Sequence, residues 1–243
     1  MTSEAFDAFA PNAIPDGVLV RSGRSTGRLA PGDLDILSAE ERGRFAAFRD
    51  PVRAARFAAA HVELRRFLGQ ALGCAPAALR FDRHPCAGCG RAGHGRPYVR
   101  APRTDWEFSF SRSGPYWLCA AAEAVRVGVD LERERAVDPS SLSPAILSAD
   151  ERRHLDSVPP EFRAAEFIRC WTRKEAVVKA SGIGIEAALG EIDVRPGQLR
   201  AKVLHTVPGC EFDNWVVTDL PAGTDHFSAI AVPALAQRKY HVP

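Results

Sequence analysis

"WEFSFSRSGPYWLCAAAEAVRVGVDLE", Trp106 to Glu132, falls into three short aromatic or β-branched runs separated by Ser113-Gly114 and by Glu123 to Arg126. Such runs, punctuated by turn residues, predict strand, turn, strand, turn, strand. On either side the period changes. From Leu37 to Gly73 apolar residues recur at helical spacing through Phe57, Val62, Leu64, Phe67, Leu68 and Leu72. Ser38 followed by Glu41 predicts a capped start, and Pro51 predicts a split into two helices. Downstream, Pro139, Pro144 and Pro159-Pro160 interrupt residues 136–160, whereas Glu161 to Ser181 predicts the best long helix of the chain, closed by Gly182 and Gly184. Arg200 to Pro233 returns to short strands around Gly and Pro. Helices, strands, helices and strands in that order describe an α+β chain with two comparable halves and no repeat at the residue level.

The composition is that of a globular protein with a substantial core: 243 residues, 46% hydrophobic and 26% charged. A net charge of +2, from 32 Lys and Arg against 30 Asp and Glu, gives no overall field that would demand a nucleic-acid or membrane partner. Any anion site must be local. The N-terminal "MTSEAFDAFAPN" lacks the basic and apolar regions of a signal peptide, and no run approaches the roughly 18 apolar residues of a membrane span. The expectation is a cytoplasmic protein. Six Cys, at 74, 86, 89, 119, 170 and 210, are too scattered for a disulfide scaffold and are expected as thiols or metal ligands.

Two stretches carry candidate chemistry. In "VRVGVDLERER", Val125 to Arg135, a strand puts Val127, Val129 and Leu131 on one face and Gly128, Asp130 and Glu132 on the other. Two carboxylates then project side by side. Either the face is solvated, with Arg126, Arg133 and Arg135 as counter-charges, or it holds a hard cation such as Mg²⁺, which takes one or two protein carboxylates. In "CWTRKEAVVKA", Cys170 to Ala180, Trp171, Glu175 and Lys179 stand at i, i+4 and i+8 near one helix face, with Lys174 about 100° round from Glu175. A third carboxylate beside two lysines suits a metal diphosphate, in which cation and anion bind together.

The pair "VGVDLE" and, about forty residues later, "CWTRKEAVVKASGIGI" resembles the double signature of the 4′-phosphopantetheinyl transferases of the larger surfactin (Sfp) type. "FSFSRSG", "GRPYV" and the Arg-bearing helices of residues 51–69 extend the likeness over most of the chain. The resemblance implies a pseudodimer of two similar α/β subdomains, 1–120 binding the coenzyme A nucleotide and 121–243 carrying the metal site and signature helix, with the active site in the cleft between them. It implies transfer of the phosphopantetheine arm of coenzyme A to a serine hydroxyl of an acyl or peptidyl carrier protein, with release of adenosine 3′,5′-bisphosphate. Asp130, Glu132 and Glu175 would hold Mg²⁺ against the pyrophosphate. Lys179 would neutralise the same diphosphate, and Lys174 would contact it or its neighbouring phosphate. Proton removal from the carrier serine would fall to Glu175 or to a water on the metal.

By the same resemblance Ser111 and Arg112 would meet phosphate. Arg112 stands where the best-known members have His, and a guanidinium binds phosphate but does not shuttle protons. Gly95, Arg96 and Pro97 would line the adenine end. Arg53, Arg56 and Arg65 would meet the 3′-phosphate, although on an unbroken helix nine residues turn Arg65 away from Arg56, so their convergence predicts a bend. The family's carrier contacts fall at about Val178 to Leu199, with Ile183, Ile185 and Leu189 as candidates. One pseudodimeric chain needs no partner copy, which predicts a monomer.

"HPCAGCGRAGHG" offers Cys86 and Cys89 at zinc-knuckle spacing with His84 and His94 nearby, but no second Cys pair follows. Two other readings compete. A zinc-stabilised nucleic-acid-binding module leaves three carboxylates in two motifs unexplained. A non-catalytic carrier-protein-binding paralogue fits poorly with intact Asp130, Glu132, Glu175 and Lys179.

Overall fold

Pro51 divides the first helical region as expected. The chain runs through α2 (Ala39–Ala47), breaks at Phe48 to Asp50, and re-enters α3 (Pro51–Leu72) with proline in the first turn and Asp50 as N-cap, accepting from the Val52 and Arg53 amides at 2.8 and 3.3 Å. Ser38 and Glu41 form the reciprocal capping box. The computed structural model describes residues 3–5, 14–93, 95–135, 145–183, 187–206, 210, 212–223 and 225–234. Its remaining elements are β1 (Ser3–Ala5), β2 (Val18–Ser25), α1 (Asp33–Ile36), β3 (Arg80–Arg83), β4 (Pro97–Ala101), β5 (Trp106–Ser113), β6 (Tyr116–Glu123), β7 (Gly128–Arg133), α4 (Ala149–Ser157), α5 (Arg163–Ser181), β8 (Arg200–Leu204), β9 (Asn214–Leu220) and β10 (His226–Pro233). Pro139, Pro144, Gly184, Ile185 and His94 lie outside the described residues.

Two four-stranded antiparallel sheets result, ordered β1-β2-β6-β5 and β7-β10-β9-β8, with β3-β4 as a separate hairpin. Each sheet carries a helix on its outer face. Ala60, Leu64, Phe67 and Leu68 of α3 pack on Phe108, Trp117, Cys119 and Ala121. Phe167, Ile168, Val177 and Val178 of α5 pack on Val203, Trp215, Val217, Ala229 and Ala231. The inner faces meet each other, Leu118, Ala120 and Ala122 against Val129, Leu131, Ile230 and Val232. Four layers, helix, sheet, sheet and helix, leave β6 and β10 covered on both sides. That is why their sequences are almost unbroken apolar runs and not alternating ones. The helix expected over Glu161 to Ser181 is α5, entered through a 3₁₀ turn at Pro160–Phe162 and ended by Gly182 at φ +84, while α3 is longer, 22 residues against 19.

Between β5 and β7 the edges of the two sheets are joined by side chains. The Ser109, Ser111 and Ser113 hydroxyls accept the amides of Val129, Leu131 and Arg133 at 3.0, 3.3 and 2.9 Å. The constant offset of twenty residues makes β5 and β7 run in parallel.

Arg65 is buried inside the first half, 1% exposed, where Nε donates to Glu41 at 2.8 Å and Nη1 to the Pro76 and Leu79 carbonyls at 3.2 and 3.0 Å. Because α3 is unbroken, Arg65 faces away from Arg56 and pins the chain after α3 to the start of α2. Burial pushes the Glu41 pKa up, but the hydrogen bonds from His61 and the Ser38 amide, with the Arg65 charge, bring it down to about 2. A depressed folded pKa stabilises above the ordinary carboxylate value, and that stabilisation is lost as pH falls towards 2. Glu41→Gln should therefore cost about 3 kcal/mol at neutral pH and flatten the acid limb of the stability profile, read from urea midpoints between pH 3 and pH 7.

Candidate active site

The approach of β7 to α5 sets the site. A Cβ on Gly128 would lie 2.0 Å from the Ala176 carbonyl and 2.5 Å from the Ala180 amide, so only glycine lets the strand lie this close to the helix. From the same face, Asp130 and Glu132 then meet the helix row Trp171, Glu175 and Lys179. Lys179 Nζ donates to Asp130 Oδ1 at 2.6 Å and Trp171 Nε1 to Glu132 Oε1 at 3.2 Å. Glu175, midway along that row, has no hydrogen-bond or ion-pair partner among the described residues. All five side chains, with Ser111 and Arg112, line one open pocket of about 400 Å³.

The opposite wall of the pocket is basic. Arg112 and Arg44 each place a guanidinium 5.1 Å from the Phe57 ring centre, and His61 stacks on the same ring at 4.3 Å. Arg83 and Phe110 complete it. Arg44, His61 and Arg83 were not anticipated from the sequence. Arg44 and Arg83 sit in charge-rich surface sequence, and His61 looks like a lone polar residue within an apolar helix. Its signal is local: burial and the Arg112 and Arg44 charges hold its pKa below the ordinary value, against the pull of Glu41, so the neutral ring donates from Nδ1 to Glu41 Oε1 at 3.2 Å.

Each wall is therefore short of counter-charge. Burial raises the Glu175 pKa, and the Asp130 and Glu132 charges raise it further against Lys179. Burial and Asp130 raise that of Glu132 in the same way. Across the pocket, burial and Arg44 lower that of Arg112. Asp130 Oδ2 is buried with no partner. An all-oxygen donor set with a bare carboxylate oxygen suits a hard cation such as Mg²⁺. Among the described residues no group of three or more His, Cys, Asp or Glu closes round a metal unaided.

Several expected site residues are elsewhere. Lys174 is completely buried on another face of α5, paired with buried Glu151 at 2.7 Å and donating to the Leu189 carbonyl at 2.7 Å and to that of Ile192. It anchors the segment after α5 and reaches no phosphate, because one residue's step turns it 100° from Glu175. Arg65, fixed to Glu41, is likewise withdrawn. Arg53 is exposed beside its own N-cap Asp50, and half-buried Arg56 has an unpartnered Nε; neither lines the pocket. Ser111 lines it, but its one proton goes to Asp130 Oδ1 at 2.7 Å while it accepts from Lys179 at 3.1 Å, so it has no donor left for a phosphate.

Arg96 pairs with Glu107 outside the pocket, and burial with the nearby Arg126 lowers its pKa to about 10. Gly95 is required by its own chain, since a Cβ there would lie 2.2 Å from the His84 carbonyl, and Pro97 opens β4. Cys86 is buried, its thiol donating to the Ile183 carbonyl at 3.3 Å, and Cys89 is exposed. Val178 is buried, and Ile183 and Leu189 pack against the core of the second half rather than forming an open docking face. No described helix is long and apolar enough to cross a membrane.

A row of carboxylates on a strand edge thus faces an acidic and basic helix row, across a pocket from guanidiniums. Comparison with known proteins names the class. Residues 126–231 match the 4′-phosphopantetheinyl transferase superfamily. The chain is similar to the 4′-phosphopantetheinyl transferase HetI of Nostoc, 32% identical over 199 residues covering 81% of this chain and 78% of that protein. It is similar to psf-1 of Bacillus pumilus, 28% identical over 162 residues, 62% of this chain and 68% of that one. A mouse L-aminoadipate-semialdehyde dehydrogenase-phosphopantetheinyl transferase is 27% identical over 161 residues, 58% and 52% of the respective chains. The protein belongs to the 4′-phosphopantetheinyl transferase superfamily.

A buried clamp cation and a pocket-wall cation should separate by experiment. Lys174→Ala leaves buried Glu151 without its cation, held only by the Ser148 and Val194 amides, at a cost of about 3–5 kcal/mol, whereas Arg44→Ala, at the pocket wall, should change stability by no more than about 1 kcal/mol. Chemical denaturation of the two variants tests both values.

Proposed function

We propose that the protein transfers the 4′-phosphopantetheine moiety of coenzyme A to a serine hydroxyl of an apo acyl or peptidyl carrier protein, in a Mg²⁺-dependent reaction that releases adenosine 3′,5′-bisphosphate. The observation that carries this reading is the pocket with one wall short of cations and the other short of anions. A magnesium diphosphate offers both at once.

Asp130, Glu132 and Glu175 would hold Mg²⁺, which supplies charge neutralisation on the diphosphate when bound. Lys179, already at the mouth of the carboxylate row, adds positive charge to the phosphoryl oxygens. Arg112 and Arg44 bind the remaining phosphate, and Arg83 extends the same wall. Transfer at phosphorus depends mainly on positioning and on stabilising charge at non-bridging and leaving oxygens, which is what these residues offer. Glu175, whose pKa is raised and which has no partner among the described residues, takes the proton from the carrier serine.

Both walls come from one chain, the basic one from residues before 113 and the acidic one from residues after 129. This supports the larger Sfp-type organisation: subdomains of residues 1–120 and 121–243 arranged as a pseudodimer, a site in the cleft between them, and a competent monomer. We place the enzyme in the cytoplasm, working on coenzyme A and carrier proteins.

Incubation with coenzyme A, Mg²⁺ and an apo carrier protein, followed by mass spectrometry of the carrier, tests the reading. The expected result is a gain of one phosphopantetheine. Asp130→Ala and Glu175→Ala should lower the rate at least about 100-fold with circular dichroism unchanged; full activity in either variant would remove the carboxylates from the chemistry.

A further inference from the structure

The β5–β7 seam does more than join two sheets. A strand at a sheet edge has unsatisfied amides at every second residue, and here the hydroxyls at 109, 111 and 113 take the amides of 129, 131 and 133 in step. In the first of these contacts only the backbone is held. In the second the same oxygen that accepts from Leu131 donates its proton to Asp130 Oδ1, at 2.7 Å, and receives Lys179 at 3.1 Å. In the third, Ser113 donates to Glu132 Oε2 at 3.4 Å. Ser111, in the pocket, and Ser113, beside it, thus each fix the height of β7 and the rotation of the carboxylate that precedes the bonded amide.

We propose that Ser111 is a positioning residue: with Lys179 it occupies Asp130 Oδ1 and so presents the bare, buried Oδ2 as the oxygen that receives the metal. Ser113 fixes Glu132 more weakly, as its longer bond to Oε2 requires, with the Trp171 indole holding Oε1. Serine suits the task because its oxygen accepts from a backbone amide and donates to a carboxylate at once, from a side chain short enough to bridge two strands. This rests on the reading of Asp130 as a metal ligand, and the ladder supplies its own control, because Ser109 bonds β7 without touching a carboxylate.

The test is a titration of the protein with Mn²⁺, free ion being counted by electron paramagnetic resonance, alongside transfer kinetics. Ser111→Ala should weaken Mn²⁺ binding about tenfold or more and lower kcat in proportion, with KM for coenzyme A within about twofold. Ser111→Thr, which keeps the oxygen, should restore both to within about threefold. Ser109→Ala should lower the melting temperature yet leave the Mn²⁺ constant within about twofold of the parent. If Ser111→Ala does not fold, Ser113→Ala is read instead, with an expected loss of about threefold. An unchanged Mn²⁺ constant in the Ser111 or Ser113 variant overturns the proposal, as does an equal loss in Ser109→Ala or a parent protein that takes up no Mn²⁺. A parent that binds Mn²⁺ with this pattern but modifies no carrier would leave the positioning role standing and remove the transferase reading.

Discussion

The contact between β7 and α5 has no room for a methyl group, and the rest of the site follows from that. At ordinary strand-to-helix separation Asp130 and Glu132 would reach towards the helix without meeting it. Because Gly128 allows the backbones to touch, Lys179 can close on Asp130 and the Trp171 indole on Glu132, with Glu175 between them. Three carboxylates are brought into one pocket by packing energy from elsewhere. The apolar residues on the other faces of both elements, Val129 and Leu131 on β7 and Val177 and Val178 on α5, are buried in two separate cores. Each fully buried side chain of this size contributes roughly 1.5–3 kcal/mol, which opposes the repulsion among buried Asp130 and the half-buried Glu132 and Glu175.

The repulsion itself bears on the proposed chemistry. A pocket whose charges were internally paired would gain little from a metal or a phosphate, since binding would first break existing pairs. Here the cations Arg44 and Arg112 share a ring rather than a carboxylate, and Glu175 has no hydrogen-bond or ion-pair partner among the described residues, so the proposed ligands would replace repulsion with attraction. Burial of one side chain of each set sharpens the effect, because a low-dielectric wall strengthens whichever interaction is finally made.

The carboxylate row was legible in the sequence because it follows from two short periodicities, two for a strand and 3.6 for a helix, and neither depends on the tertiary fold. The capping box at Ser38, the break at Pro51 and the three strands from Trp106 were legible for the same local reason. The basic wall was not. Arg44, His61 and Arg83 come from α2, α3 and β3, and only packing around Phe57 brings the first two together. Arg65 and Lys174 were misread as phosphate ligands because a cation in a sequence carries no sign of whether its partner is a ligand or a buried glutamate. Burial decides it, with Glu41 and Glu151 waiting in capping boxes about twenty residues away.

Those two glutamates have corresponding roles in the two halves. Each sits at the third position of a helix, closes a capping box with the serine before it, and receives a cation from the long helix that covers its own sheet. Each cation then donates to two carbonyls of the chain that leaves that helix: Pro76 and Leu79 for Arg65, Leu189 and Ile192 for Lys174. The two pairs share the acid and nearly the spacing, 65 − 41 = 24 residues in the first and 174 − 151 = 23 in the second, and differ in the cation. A helix start, a buried acid and a cation clamping the exit chain solve the same problem twice: how to fix a short helix and an irregular segment against a sheet without a larger apolar core. Because both clamps lie on faces turned away from the pocket, they set its two walls without occupying it.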